Sequence, residues 1–198
     1  VNGRKLIVVE RYDRVVASGG NVTRLHQEDF CQALGIPPDK KYQEDGGPSL
    51  RRVAQLLDAA AEPGSVESLL RATTLNVLIG NGDAHGKNFS LLHDRPGVLR
   101  LAPLYDVMST LIYGQDRLAM RLDKVTRTSR VTGARIVAEA ATWGLSKRRA
   151  AEIVADVLDR AADAVAAAAS EAPNTPTKLL SLVQAQSVAL RDLAVSDP

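Results

Sequence analysis

The stretch Leu75–Asp106, LNVLIGNGDAHGKNFSLLHDRPGVLRLAPLYD, constrains the fold of this chain more than any other. Its centre, Gly80-Asn81-Gly82-Asp83-Ala84-His85-Gly86-Lys87-Asn88, sets ionisable and amide side chains between two apolar runs. Such a segment is a poor core and a good active-site loop, because polar groups carried into an apolar interior must all find partners. Asp83 and Asn88 lie five positions apart with Lys87 between them, and a second acid, Asp106, follows. Phosphoryl transfer uses these parts: a carboxylate to accept a hydroxyl proton, a cation to neutralise the moving group, and hard oxygen ligands for Mg²⁺. The flanking glycines let backbone approach a ligand closely and permit positive φ.

Composition narrows the setting. At 198 residues one domain is the default, and 45% apolar residues suffice for a real core. With 25 basic and 23 acidic side chains the net charge is +2, too small to argue for nucleic-acid or membrane binding by the chain as a whole. Cys31 is the single cysteine, which excludes an internal disulfide framework and a cysteine-rich zinc site. No apolar run reaches membrane-spanning length and no signal-peptide core opens the chain, so a cytoplasmic protein is expected. The chain begins at Val1 and enters Leu6-Ile7-Val8-Val9 almost at once, a pattern expected of a piece of something longer.

Taken in order, Lys5–Arg11 reads as a strand, and Gly19-Gly20-Asn21 as a turn between two short strands. Gln27–Leu34 reads as a short helix ended by Gly35, with Pro37-Pro38 beyond it. A polar loop, Lys40–Gly47, precedes a helix from Pro48 to about Ala61. Ser65 is the expected N-cap of a buried helix that reaches about Ile79 and delivers the chain to the polar loop. Asn88–Leu92 and Val98–Leu101 read as strands across the Asp94-Arg95-Pro96-Gly97 turn, and Leu118–Leu122 alternates like a strand. Arg117, Arg121, Lys124, Arg127 and Arg130 form the most basic stretch, a solvated face or a contact for an acidic partner. Helices are then expected over Thr132–Trp143, from a Ser146 cap to about Ala169, and from a Thr175-Pro176 start to about Ala194. The summed expectation is a mainly α chain with small β-hairpins around the polar loop.

The spacing Asp83-x-His85-x-Lys87-Asn88, with Asp106 beyond a strand-turn-strand, resembles the catalytic loop and metal-binding acid of the protein-kinase-like superfamily. Further segments tighten the likeness. Glu10-Arg11-Tyr12-Asp13-Arg14 is followed by Gln27-Glu28-Asp29 and Gln32-Ala33-Leu34-Gly35. Lys41-Tyr42, Asp45-Gly46-Gly47-Pro48, the polar loop through Phe89-Ser90, and Leu101-Ala102-Pro103-Leu104-Tyr105-Asp106-Val107 come after them in order. The series resembles the C-terminal part of HipA-type serine/threonine kinases, the toxin component of bacterial toxin–antitoxin pairs, over residues 5–125.

The resemblance implies a kinase C-lobe with ATP and Mg²⁺ as cofactors. Asp83 would be the catalytic base, Lys87 would face the γ-phosphate, and His85 would support the loop or the phosphates. Asn88 and Asp106 would hold Mg²⁺. Glu10 and Tyr12 would meet adenine mainly through backbone groups, and Asp13 would lie near the ribose. Residues 1–14 would be the hinge strand and inter-lobe segment and 15–198 the C-lobe. A Gly-rich loop and an N-lobe lysine are missing before Glu10, and Lys5 is too near the hinge to serve, so the N-lobe is expected to be absent from this chain. The implied partners are that N-lobe, a HipB-type antitoxin, a protein substrate, and DNA only through the antitoxin. A small-molecule kinase of the aminoglycoside or lipid type, and an inactive nucleotide-binding module, are the alternatives.

Overall fold

The computed structural model describes residues 9–95, 97–172 and 174–193. The expected strand Lys5–Arg11 falls mostly outside these residues, as does the end of the last helix beyond Leu193; residues 9–11 are not in a strand.

Seven strands and six α-helices are present among the described residues. β1 (Arg14–Val16) and β2 (Val22–Arg24) make a hairpin, and β3 (His26–Asp29) leads into the four-residue α1 (Phe30–Ala33). α2 (Leu50–Ala60) and α3 (Ser65–Leu78) follow, then β4 (Ser90–Arg95) and β5 (Val98–Leu101). β6 (Arg117–Leu122) and β7 (Val125–Arg127) precede α4 (Gly133–Ala141), α5 (Lys147–Glu171) and α6 (Thr177–Leu190).

The expectation of a mainly α chain is corrected: 47% of the structure is helical and 15% is strand, a mixed α/β fold. The physical reason lies in short polar stretches that pair. Gln27–Asp29 is expected at the start of a helix, but His26–Asp29 forms an antiparallel ladder with β4, from Asp29 opposite Ser90 to His26 opposite His93. The helix begins only after Asp29, whose side chain accepts from Gln32 N while Gln32 Oε1 accepts from Asp29 N, a reciprocal cap. β4 is therefore the centre of a three-stranded sheet, β3-β4-β5, and the polypeptide leaving the polar loop is held on both edges. β6 and β7 close through Asp123 and Lys124, both at positive φ (43° and 67°), the backbone of a two-residue mirror-image turn.

Helix α3 organises the rest. Leu69, Leu70, Ala72, Thr73, Thr74, Asn76, Val77 and Leu78 are all buried, so the helix is enclosed on most sides, with α2, α5 and α6 packed around it. Gly64 at φ 90° holds the N-cap position expected of Ser65, which is instead the first helical residue. α2 presents Leu50, Val53, Ala54 and Leu57 at helical spacing to the core. Ile136, Val137 and Ala140 of α4 and Ile153, Val154 and Leu158 of α5 complete it. Thr132 and Ser146 cap α4 and α5 by accepting from the third residue on, whereas Pro176, expected at the first helical position, stands at the cap of α6. No described helix is long and apolar enough to cross a membrane.

Candidate active site

The enclosed end of α3 sets the polar loop. Asn76 Nδ2 donates to the carbonyl of Ala72, which leaves its Oδ1 to accept from Asn81 Nδ2 at 2.8 Å. Asn81 Oδ1 in turn accepts from the backbone N–H of Asp83 at 3.2 Å. Two buried amides thus carry the helix end to the candidate base without leaving a polar group unpaired. From the other side Thr110 Oγ1 accepts from Gly82 N at 2.9 Å, and Ala119 N on β6 donates to Gly82 O at 2.7 Å. This contact explains the glycine: a Cβ on Gly82 would lie 2.4 Å from the carbonyl oxygen of Arg117. Gly86 is similarly confined, its notional Cβ 2.4 Å from Pro48 Cγ, while its N–H donates to Lys41 O and its carbonyl accepts from Phe30 N. These two glycines serve close packing against protein; of the loop's glycines, Gly80 alone has positive φ, at 73°.

Within that frame, Tyr42 Oη donates to Asp83 Oδ1 at 2.9 Å. Asp83 is half-buried and lines a cleft of about 600 Å³ together with Tyr42, Glu44, Asp116, Arg117 and Arg127. His85 is buried; its Nδ1 accepts from Lys87 N at 3.3 Å and its ring stands edge-on to Tyr42 with centroids 5.3 Å apart. Burial, aided by the nearby charge of Lys41, pushes the His85 pKa below its ordinary value of 6.5, so the ring is neutral. Lys87 is half-buried, and its ammonium makes no hydrogen bond or ion pair among the described residues.

Asn88 is buried and joins both sides of the site. Its Oδ1 accepts from His85 N at 3.1 Å and its Nδ2 donates to Asp106 Oδ2 at 2.8 Å. Asp106 is exposed and sits at φ 54°, a left-handed backbone that a non-glycine residue adopts at a cost. The hairpin of β4 and β5 thus returns Asp106 to the loop, in contact with Asn88.

The hinge residues divide. Tyr12 connects to the loop through a relay: its hydroxyl donates to Gln27 Oε1 at 2.9 Å, and Gln27 Nε2 donates to Ser90 Oγ at 3.1 Å. Tyr105 Oη donates its single proton to the carbonyl of Lys87, so Ser90 Oγ, 2.6 Å away, is the donor to Tyr105. Burial drives the Tyr105 pKa up to about 12, which keeps that hydroxyl protonated. Glu10 is exposed. Asp13 is buried and engaged by arginines: Arg11 at 2.7 Å, Arg14 at 2.5 Å and Arg24 at 3.9 Å. The Arg11 hydrogen bond, then that of Arg14, holds its carboxyl far below the usual carboxylate range against the opposing effect of burial. Its oxygens are directed to these guanidinium groups and not to the loop.

Tyr42, Asn76, Asn81, Gln27, Ser90, Tyr105 and Thr110 received no role from the sequence. Tyr42, Gln27, Ser90, Tyr105 and Thr110 act through partners distant in the chain, up to 63 positions for Gln27 and Ser90, and local spacing carries no sign of such pairs; Asn76 and Asn81 are five positions apart, but a helix end separates them. Cys31 is buried beneath Gly86, and burial raises its thiol pKa against the smaller opposing effect of Lys87, as suits a core cysteine.

Fold and site together define a mixed α/β domain whose polar loop carries an acid-amide-acid constellation. Residues 1–165 match the family model described as the HipA-like C-terminal domain, and the chain belongs to that family. It is 50% identical over 127 residues to "Putative kinase Y4mE" of Sinorhizobium fredii, covering 62% of this chain and 30% of that one. It is 34% identical over 134 residues to the serine/threonine-protein kinase toxin HipA of Shewanella oneidensis, covering 60% and 31%. A solved structure of the Shewanella oneidensis toxin–antitoxin system, HipA and HipB with operator DNA, superposes with a TM-score of 0.75 at 28% identity, over 93% of this chain and 46% of that one. The chain thus spans about a third of the length of the curated relatives it matches.

Proposed function

We propose that this chain carries the catalytic residues of an ATP-dependent serine/threonine protein kinase, the toxin half of a toxin–antitoxin pair. One observation carries the reading: Asp83 lines an open cleft, while Asn88 of the same loop is joined at 2.8 Å to Asp106 from a separate segment.

Each residue then has a task. Asp83 accepts the proton of a substrate hydroxyl entering the cleft, its carboxylate held by Tyr42. Lys87 directs an ammonium without an ion-pair partner among the described residues toward a phosphate oxygen. Neutral His85 braces the loop through Lys87 N and the Tyr42 ring. The donor set fits a hard cation: Asp106 has a carboxylate oxygen beyond the one bonded to Asn88, and the Asn88 carboxamide oxygen keeps a lone pair beyond the His85 N–H. Asn88 and Asp106 would hold Mg²⁺, which when bound offsets charge on the transferring phosphate.

Adenine would lie toward Glu10 and Tyr12, with the relay from Tyr12 to Lys87 O coupling that side to the loop. A further lobe, on this polypeptide or another, would supply the remaining phosphate contacts; the greater length of the relatives supports this. The HipB-bound structural neighbour supports an antitoxin partner of that type. A net charge of +2 leaves little counterion-release drive for binding DNA directly, so operator contact falls to the antitoxin.

The test is transfer of label from γ-labelled ATP by the full-length protein, with protein and metabolite fractions counted separately. Label on serine or threonine of a protein supports the proposal. Label confined to metabolites points to a small-molecule kinase, and nucleotide binding without transfer to a binding module.

A further inference from the structure

On the ladder between β3 and β4, away from the catalytic loop, His26 and Glu28 share one face of β3, since they stand two residues apart on a strand. His93 of β4 is the register partner of His26 and projects on that same face. Its Nε2 lies 2.9 Å from Glu28 Oε1, and the two imidazole rings have centroids 4.6 Å apart. One ligand atom from each of the three residues lies within 4.8 Å of the others, and among the described residues this is the one group of histidine, cysteine and acidic side chains so arranged.

We propose that His26, Glu28 and His93 bind a transition-metal dication of the zinc type. Ligand atoms around a tetrahedral zinc ion, with bonds to nitrogen and oxygen of about 2.0 Å, stand about 3.3 Å apart. The observed spacings bracket that value, so rotamer adjustments suffice. A His–Glu pair is explained by its own hydrogen bond. The second imidazole is not: it makes no side-chain hydrogen bond among the described residues, and two of the chain's three histidines face each other across one rung. Two imidazoles with one carboxylate suit zinc, nickel or copper and not Mg²⁺, which demands oxygen. Three protein ligands leave one position for water.

The site is separate from the catalytic loop. The rung nearest the loop is Asp29 opposite Ser90, and His26 opposite His93 lies three residues along the ladder, about 10 Å away. A bound ion would fasten β3 to β4, the strand that emerges from Asn88.

The experiment is calorimetric titration of ZnCl₂ into protein stripped with chelator, with Co²⁺ absorption as a second readout. We expect one Zn²⁺ per chain at this site and a tetrahedral Co²⁺ spectrum. Millimolar Mg²⁺ should fail to compete. His26→Ala and His93→Ala should each weaken Zn²⁺ binding at least about tenfold, the lower end of the loss on removing even a ligand's hydrogen-bond partner. Zn²⁺ should raise the Tm of the wild type and leave that of the double variant unchanged. Glu28→Gln, which keeps shape and hydrogen bonding, should also weaken binding and guards against a folding defect in His93→Ala. Absence of saturable Zn²⁺ binding by the wild type, or binding retained in the double variant, overturns the proposal.

Discussion

Asn88 Nδ2 donates to Asp106 Oδ2 at 2.8 Å, bridging 18 positions of chain. Between the two residues lie β4 and β5, so the hairpin works as a caliper that returns the second acid to the loop. Asp106 meets Asn88 with its backbone at φ 54°. Strain of that kind persists where surrounding structure enforces it.

That strain separates stability from activity at Asp106. Replacing Asp106 with glycine relieves the backbone and removes the carboxylate. We predict that Asp106→Gly in the full-length protein keeps or raises Tm and abolishes Mg²⁺-dependent turnover. Thermal denaturation and a phosphotransfer assay on one preparation check both halves. A variant with near-normal turnover would remove Asp106 from the metal site.

A second prediction concerns Tyr42, which donates to Asp83 Oδ1 at 2.9 Å. Tyr42→Phe keeps the ring against His85 and deletes only the hydroxyl. A hydrogen bond to a charged group contributes about 1.5–3 kcal/mol, so turnover should fall about tenfold or more while the affinity for ATP stays near that of the wild type. Steady-state kinetics over a range of ATP concentrations decides it, and an unchanged kcat contradicts the positioning role.

How far the sequence exposed this arrangement depended on distance along the chain. The polar loop, the strand-turn-strand and Asp106 could be read because their spacing is local and their residue types are chemically specific. β3 was hidden. Gln27, Glu28 and Asp29 sit before a capped helical turn and look helical alone, and only pairing with Ser90–His93 makes them a strand. The arginine cluster on Asp13 was equally hidden: Arg24 reaches it across the β1–β2 hairpin, whose exposed valines offer no core pattern. The loop's glycines illustrate the same limit. Gly82 suggested room for a ligand, but its neighbour is the β6 backbone 35 positions away.

From that contact follows a stability prediction. The carbonyl of Arg117 belongs to a hydrogen-bonded strand and cannot yield easily to a Cβ at 2.4 Å. Gly82→Ala should cost about 1–3 kcal/mol, the usual range for overpacking. Gly19→Ala, where a Cβ meets nothing within 4 Å, should stay within about 0.5 kcal/mol of wild type. Urea denaturation of both variants tests the difference.

Buried His85 should also set a pH dependence. Its pKa is lowered in the folded state, chiefly by burial, so below the unfolded value of 6.5 the unfolded chain takes up more protons. The His85 contribution is therefore present above pH 6.5 and is lost as pH falls below it. We predict that stability of the wild type declines more steeply on acidification through this range than that of His85→Gln. Denaturation midpoints from pH 5 to 8 compare the slopes, and parallel curves would show that burial does not shift His85.

The central claim is that Asp83 is the base of a phosphoryl-transfer site, and one measurement bears on it most directly: γ-labelled ATP turnover by full-length wild type and Asp83→Asn, alongside ATP binding by each. The substitution keeps size and the hydrogen bond from Tyr42 while removing the charge. The account predicts that Asp83→Asn binds ATP like the wild type and turns over ~10²-fold more slowly or worse, the loss expected of a missing general base. A variant whose ATP affinity collapses while its rate per bound ATP stays normal would make Asp83 a binding residue and contradict the account.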